Sequence, residues 1–100
     1  MKYTKIDPEI SYLNFYELAT QVTHFNSITG QRYEVKSVQN DSMTFTRKSR
    51  NTTWSMDLKG VHKAYIELND FRTANFASFV PRTHSPALGL LLHLRLLIKQ

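Results

Sequence analysis

The sequence predicts an α+β fold: an N-terminal helix, a three-stranded antiparallel β-meander and two further helices, with a hydrophobic C-terminal helix in the core. Three observations carry this. Apolar residues recur at three- and four-residue spacing up to about Phe25, the period then switches to two between Arg32 and Asp57, and the stretch Ser85–Ile98 is apolar nearly throughout. Residues 1–100 read as a single domain, a length at which 41% hydrophobic residues suffice for a small core.

Asp7-Pro8-Glu9 is a helix-start signature, with a capping side chain, a proline at the first position and a carboxylate near the positive end of the helix dipole. Ser11 is a rival cap four residues on. Tyr12, Phe15, Tyr16, Ala19 and Val22 form the stripe, widened by Leu13 and Leu18, and Asn26–Gly30 reads as a turn.

The predicted strands follow. Arg32–Lys36 alternates, with Tyr33 and Val35 on one face. Asn40-Asp41 is a hairpin signal, Met43 and Phe45 alternate with Thr44 and Thr46, and Lys48–Asn51 is a basic turn before Thr52–Asp57. Trp54 and Met56 share a face, and Trp54 is expected to be buried. A meander with one apolar face needs a cover, for which the first and last helices are the candidates.

Asp57 can cap a helix from Leu58 to about Leu68, with Leu58, Val61, Ala64, Tyr65 and Leu68 as its apolar stripe. Asn69–His84 lacks a clear period and reads as a surface loop pegged down by Phe71, Phe76, Phe79 and Val80, with a short helical turn near Thr73–Phe79. Ser85 is the expected N-cap of the last helix, Pro86 its first residue, and the helix runs to Ile98. At about 1.5 Å per residue it spans roughly 21 Å, short of the hydrocarbon layer, and it carries His93 and Arg95, so no membrane span is expected. An all-round apolar helix must be covered, by the domain's own core or by a partner such as a second copy.

The formal charge is +5, which favours phosphate-rich or acidic partners. No acidic residue follows Asp70, whereas Arg72, Arg82, Arg95 and Lys99 do. Arg47, Lys48 and Arg50 cluster in the basic turn. These side chains could grip phosphates, with Arg72, Arg82 and His84 adding contacts and neighbouring aromatics stacking on bases, so Arg47, Lys48, Arg50, Arg72, Arg82 and His84 are the candidate nucleic-acid contacts. There is no cysteine, which excludes disulfides and thiolate metal sites and suits a reducing cytoplasm, and no signal peptide is visible.

Catalytic patterns are weak. Glu34-Val35-Lys36 has the E-x-K form by which metal-dependent nucleases hold Mg²⁺ and a lysine, but the accompanying Asp belongs on a preceding strand, and Asp7, Glu9 and Glu17 fall in or near a helix. The motif therefore reads as a solvated strand face. His24, His62, His84 and His93 lack ligand spacing, and no glycine-rich phosphate loop or Gly-x-Ser-x-Gly turn is present. No catalytic residue, cofactor or metal is expected.

The phrase Thr29-Gly30-Gln31-Arg32-Tyr33-Glu34-Val35, the hairpin residues Thr46-Arg47-Lys48-Ser49 and the terminal Ser85-Pro86-Ala87-Leu88 together resemble small bacterial α+β domains of uncharacterised role, some appended to restriction-type or other DNA-acting proteins. The resemblance spans roughly residues 29–97 and implies a cytoplasmic accessory module inclined toward DNA. It supplies no site residues. The expected function is a non-enzymatic nucleic-acid-binding module, with the alternative of a protein-interaction or homo-oligomerisation module using the apolar C-terminal helix.

Overall fold

The computed structural model describes residues 3–100, and the chain is α+β. The elements are β1 (Tyr3–Lys5), α1 (Tyr12–Thr20), β2 (His24–Asn26), β3 (Arg32–Gln39), β4 (Ser42–Arg47), β5 (Thr52–Asp57), α2 (Leu58–Glu67), a 3₁₀ turn (Thr73–Phe76), α3 (His84–His93) and β6 (Leu97–Lys99). β2, β3, β4 and β5 form an antiparallel sheet in that order, and β1 pairs with β6 in a separate ribbon.

The meander therefore has four strands where three were predicted, and a second sheet exists that was not foreseen. The predicted N-terminal helix is shortened at both ends. Ser11 wins over Asp7-Pro8: its Oγ accepts the Asn14 N–H at 3.1 Å, while the Ile10 N–H bonds the Asp7 carbonyl in a separate turn. At the other end, His24–Asn26 leaves the helical pattern to pair with Arg32–Glu34 as an edge strand.

The β3–β4 hairpin turns at Asn40 and Asp41, both at positive φ (53° and 64°), the type I′ geometry that matches the twist of adjoining strands. A register shift between Val35 and Ser37 leaves Lys36 exposed without a cross-strand partner. Phe25, Tyr33 and Phe45 pack on the inner face, their ring centroids 5.1–5.5 Å apart. The opposite face presents His24, Asn26, Arg32, Glu34, Thr44, Thr46, Thr53 and Ser55, with no Phe, Tyr or Trp among them. Trp54, expected to be buried, is half-buried, and its Nε1–H is enclosed without an acceptor.

α2 begins at Leu58 with Asp57 accepting the Lys59 N–H, and Leu58, Val61, Ala64 and Tyr65 are buried as the stripe requires. In the α2–α3 connection Phe71, Phe76 and Val80 are buried pegs, and Phe79 is half-buried. Gly60 gives these pegs room, since a Cβ there would stand 2.7 Å from the Phe79 carbonyl oxygen.

α3 is the central helix, with residues 86–91 buried without interruption. It starts two residues earlier than predicted, at His84 instead of Pro86. Thr83 stands at the N-cap with no side-chain cap bond, so Ser85 and Pro86 fall inside the first turn, where a missing N–H still costs nothing. It also ends earlier, at His93. Arg95 adopts φ 60°, its N–H bonds the Leu92 carbonyl at 3.1 Å, and the Leu96 N–H bonds the Leu91 carbonyl at 3.1 Å. That pair of bonds is a Schellman stop, and it turns Leu97–Lys99 away to become β6. Tyr65 fastens this end of the chain to the other: its hydroxyl donates to the Leu96 carbonyl at 2.8 Å and accepts the Asp7 N–H at 3.1 Å.

Candidate nucleic-acid interface

The β4–β5 turn is built by local bonds. The Arg47 carbonyl accepts the Asn51 N–H at 2.8 Å, and Asn51 takes φ 55°, a conformation asparagine tolerates. The turn is lashed to β3 by the Lys48 N–H, which bonds the Arg32 carbonyl at 3.1 Å. Gln31 adds a second tie, its Oε1 accepting from Arg47 Nε at 3.2 Å and from Ser49 Oγ at 3.1 Å.

Arg47, Lys48 and Arg50 thus stand with Arg32 at one end of the sheet. Lys48 and Arg50 are exposed, and among the described residues neither is paired with a carboxylate. Arg47 is half-buried opposite Tyr33. Burial holds the Tyr33 hydroxyl above its ordinary titration range, opposed by the charge of Arg47 and a bond to Ser27. Arg32 is engaged by Glu34, Nε to Oε2 at 3.0 Å. Arg32 and Gln31 were missed by sequence reasoning. The signal that could have found them is the pairing Tyr33↔Arg47, which places residues 31 and 32 beside the basic turn.

Arg72, Arg82 and His84 do not join this cluster by any described contact; they lie on the α2–α3 connection and the start of α3. Val80 on that connection packs at Gly60 in the first turn of α2, at the end of the sheet opposite the β4–β5 turn. Arg72 is turned on Asp70, with contacts of 2.6 and 2.9 Å, and its hydrogen bond holds the Asp70 carboxyl below the usual carboxylate range. His84 Nδ1 lies 3.2 Å from the Pro81 carbonyl, and Arg82 is exposed. The expected stacking partners are withdrawn as well, because Phe71 and Phe76 are core residues.

Glu34 of the E-x-K motif is held by Arg32, and among the described residues no three His, Asp or Glu side chains gather to hold a metal ion. An open pocket of about 260 Å³ is lined by Tyr3, Ile28, Leu92 and Lys99, an apolar set with one cation. No helix among the described residues is long and apolar enough to cross a membrane. No family model, curated protein or solved structure matches the chain.

Proposed function

We propose that this protein is a non-enzymatic module that binds nucleic acid, DNA in preference to RNA, through the basic end of its four-stranded sheet. The observation that carries this reading is the β4–β5 turn. It holds Lys48 and Arg50 exposed and free of carboxylates among the described residues, with Arg47 and Arg32 on the strands beside it. Cations without a carboxylate beside them keep their full attraction for phosphate. The outer face of the sheet carries hydroxyls, the Asn26 amide and the Arg32–Glu34 pair, and its one ring, His24, is packed against His93, so the contacts it favours are to the sugar–phosphate backbone of a duplex, not to stacked single-stranded bases. Arg82 and His84 then belong to a second, peripheral set, and Arg72 is partly neutralised by Asp70. A cysteine-free chain and the resemblance to accessory domains of DNA-acting proteins suit the same reading, in a cytoplasmic setting.

The rival reading, association through the terminal helix, draws no support from α3, whose apolar residues 86–91 are consumed by the core.

The test is a titration with mixed-sequence duplex and single-stranded DNA at low and at physiological salt. Duplex affinity is expected to fall steeply with salt, and Lys48→Gln with Arg50→Gln should flatten the slope by roughly one unit for each cation removed, equally for all sequences. Absence of binding at low salt, where screening is weakest, would end the proposal.

A further inference from the structure

The two edges of the four-stranded sheet are treated differently. β2 is three residues long, and α3 closes on it so tightly that Gly89 touches the Asn26 backbone. β5 is six residues long, and beyond β4 no described backbone group lies along it to bond its outer edge.

The hydrogen-bonding phase of β5 follows from one contact. The Leu58 N–H bonds the Asp41 carbonyl at 2.9 Å, in the same register as the β4–β5 ladder. Bonded pairs alternate in an antiparallel ladder, so Met56, Trp54 and Thr52 turn their N–H and C=O toward β4. Thr53 and Ser55 turn theirs outward. The segment Thr52-Thr53-Trp54-Ser55-Met56 carries no charge and no proline, and its register with β4 is unbroken by a bulge. Those are the devices by which exposed strands are usually kept apart.

We infer that β5 is a pairing edge for a second copy of this chain, joined antiparallel about a two-fold axis at Trp54. The occupant follows from the strand's own ends. The basic turn with Lys48 and Arg50 precedes β5, and Asp57 closes it, so antiparallel pairing brings each basic turn to the acidic end of the other strand. In the register centred on Trp54, the outward groups of Thr53 bond those of Ser55 of the partner subunit. Trp54 then faces the partner's Trp54 at a non-bonded position, where strands approach to about 4.5 Å and aromatic pairs add stability. A single strand pair covers less than the ~1,200 Å² of a standard interface, which places the dimer in the weak, transient class. The inference does not rest on DNA binding, but it draws on the same Lys48 and Arg50, which the dimer sets near Asp57 of the partner subunit.

The experiment is sedimentation velocity on the full chain from about 10 μM to 1 mM, paired with amide exchange and with fluorescence of Trp54, the single tryptophan. The mass should move from monomer toward twice that value. Exchange at Thr53 and Ser55 should slow with concentration, and Trp54 emission should shift with the mass. Ser55→Pro removes an outward N–H that the β4 ladder does not use, and Thr53→Lys sets a charge on the edge. Both variants should stay monomeric at the highest concentration with native circular dichroism, and Thr53→Lys decides alone if the proline variant unfolds. A wild type that stays monomeric throughout overturns the inference, as does a folded variant that dimerises like wild type.

Discussion

Gly89 of α3 and the carbonyl oxygen of Asn26 in β2 stand in contact with no space between them for a methyl group. Alanine is a better helix former than glycine by about 1 kcal/mol, so local propensity alone favours Gly89→Ala. The contact reverses the sign. A backbone carbonyl cannot swing aside as a side-chain tip can, and overpacking of this kind costs about 1–3 kcal/mol. Gly89→Ala should lower the melting temperature, and a variant as stable as wild type would mean that α3 rides further from β2.

Leu91 is fully buried, whereas Leu94 is half-buried at the C-cap. Leu91→Ala should cost about 2–5 kcal/mol in denaturant unfolding, and Leu94→Ala roughly 1–2 kcal/mol. Equal losses would contradict the helix stop at His93.

Arg95 sits in the left-handed region at the position after the α3 C-cap, where an L side chain costs about 1–2 kcal/mol and glycine costs nothing. Arg95→Gly should therefore stabilise the protein by up to about 1 kcal/mol, after the greater freedom of glycine in the unfolded chain is subtracted. A loss of stability would show that the arginine side chain makes a compensating contact.

The tyrosines set the alkaline limit. Burial raises the titration of Tyr12, Tyr33 and Tyr65, and for Tyr12 the hydroxyl's bond to Asp41 Oδ1 at 2.7 Å and that carboxylate's charge raise it further. Above the ordinary tyrosine value of about 10 the unfolded chain loses these protons first, so stability falls as pH rises. Lys5, lowered by burial, acts in the opposite sense over a similar range. With three hydroxyls against one amine, urea unfolding from about pH 9 to 11 should show a net decline, reduced in Tyr12→Phe. A flat profile would contradict it.

His93 governs the acid side. Burial, and then the charge of His24 whose ring lies 6.0 Å away, lower its titration. Below the ordinary histidine value of about 6.5 the unfolded chain takes up the proton more readily, so stability rises as pH goes from about 5 to 7. His93→Gln should flatten that rise, and an unchanged slope would place its origin elsewhere.

What the sequence revealed was local. Asn40-Asp41, the Asp57 cap and the α2 stripe are decided by neighbours a few residues away, and the structure has them where the pattern puts them. The departures all have distant causes. Val22 and Phe25 fit a helical stripe, yet residues 24–26 answer to Arg32–Glu34 across a turn. Leu96, Leu97 and Ile98 continue the apolar run of α3 but pair with Lys5, Thr4 and the segment around them. The basic turn was legible because its cations are adjacent in sequence, whereas Arg32 joins it through strand register, and Arg72 and Arg82 are held elsewhere by the course of the α2–α3 connection.

The β1–β6 ribbon also fixes an order of events during synthesis. A ribosome that has released residues 3–93 has delivered every strand of the larger sheet and all three helices, but Tyr3–Lys5 still lacks its partner. Pairings such as Tyr3↔Lys99 span nearly the whole described chain, and contacts this distant form late in folding. Until Leu96 and Leu97 emerge, the Tyr65 hydroxyl has no Leu96 carbonyl to bond, and Lys5 has no cross-strand partner. The strand that follows all the other described elements is thus the one that secures the strand that precedes them.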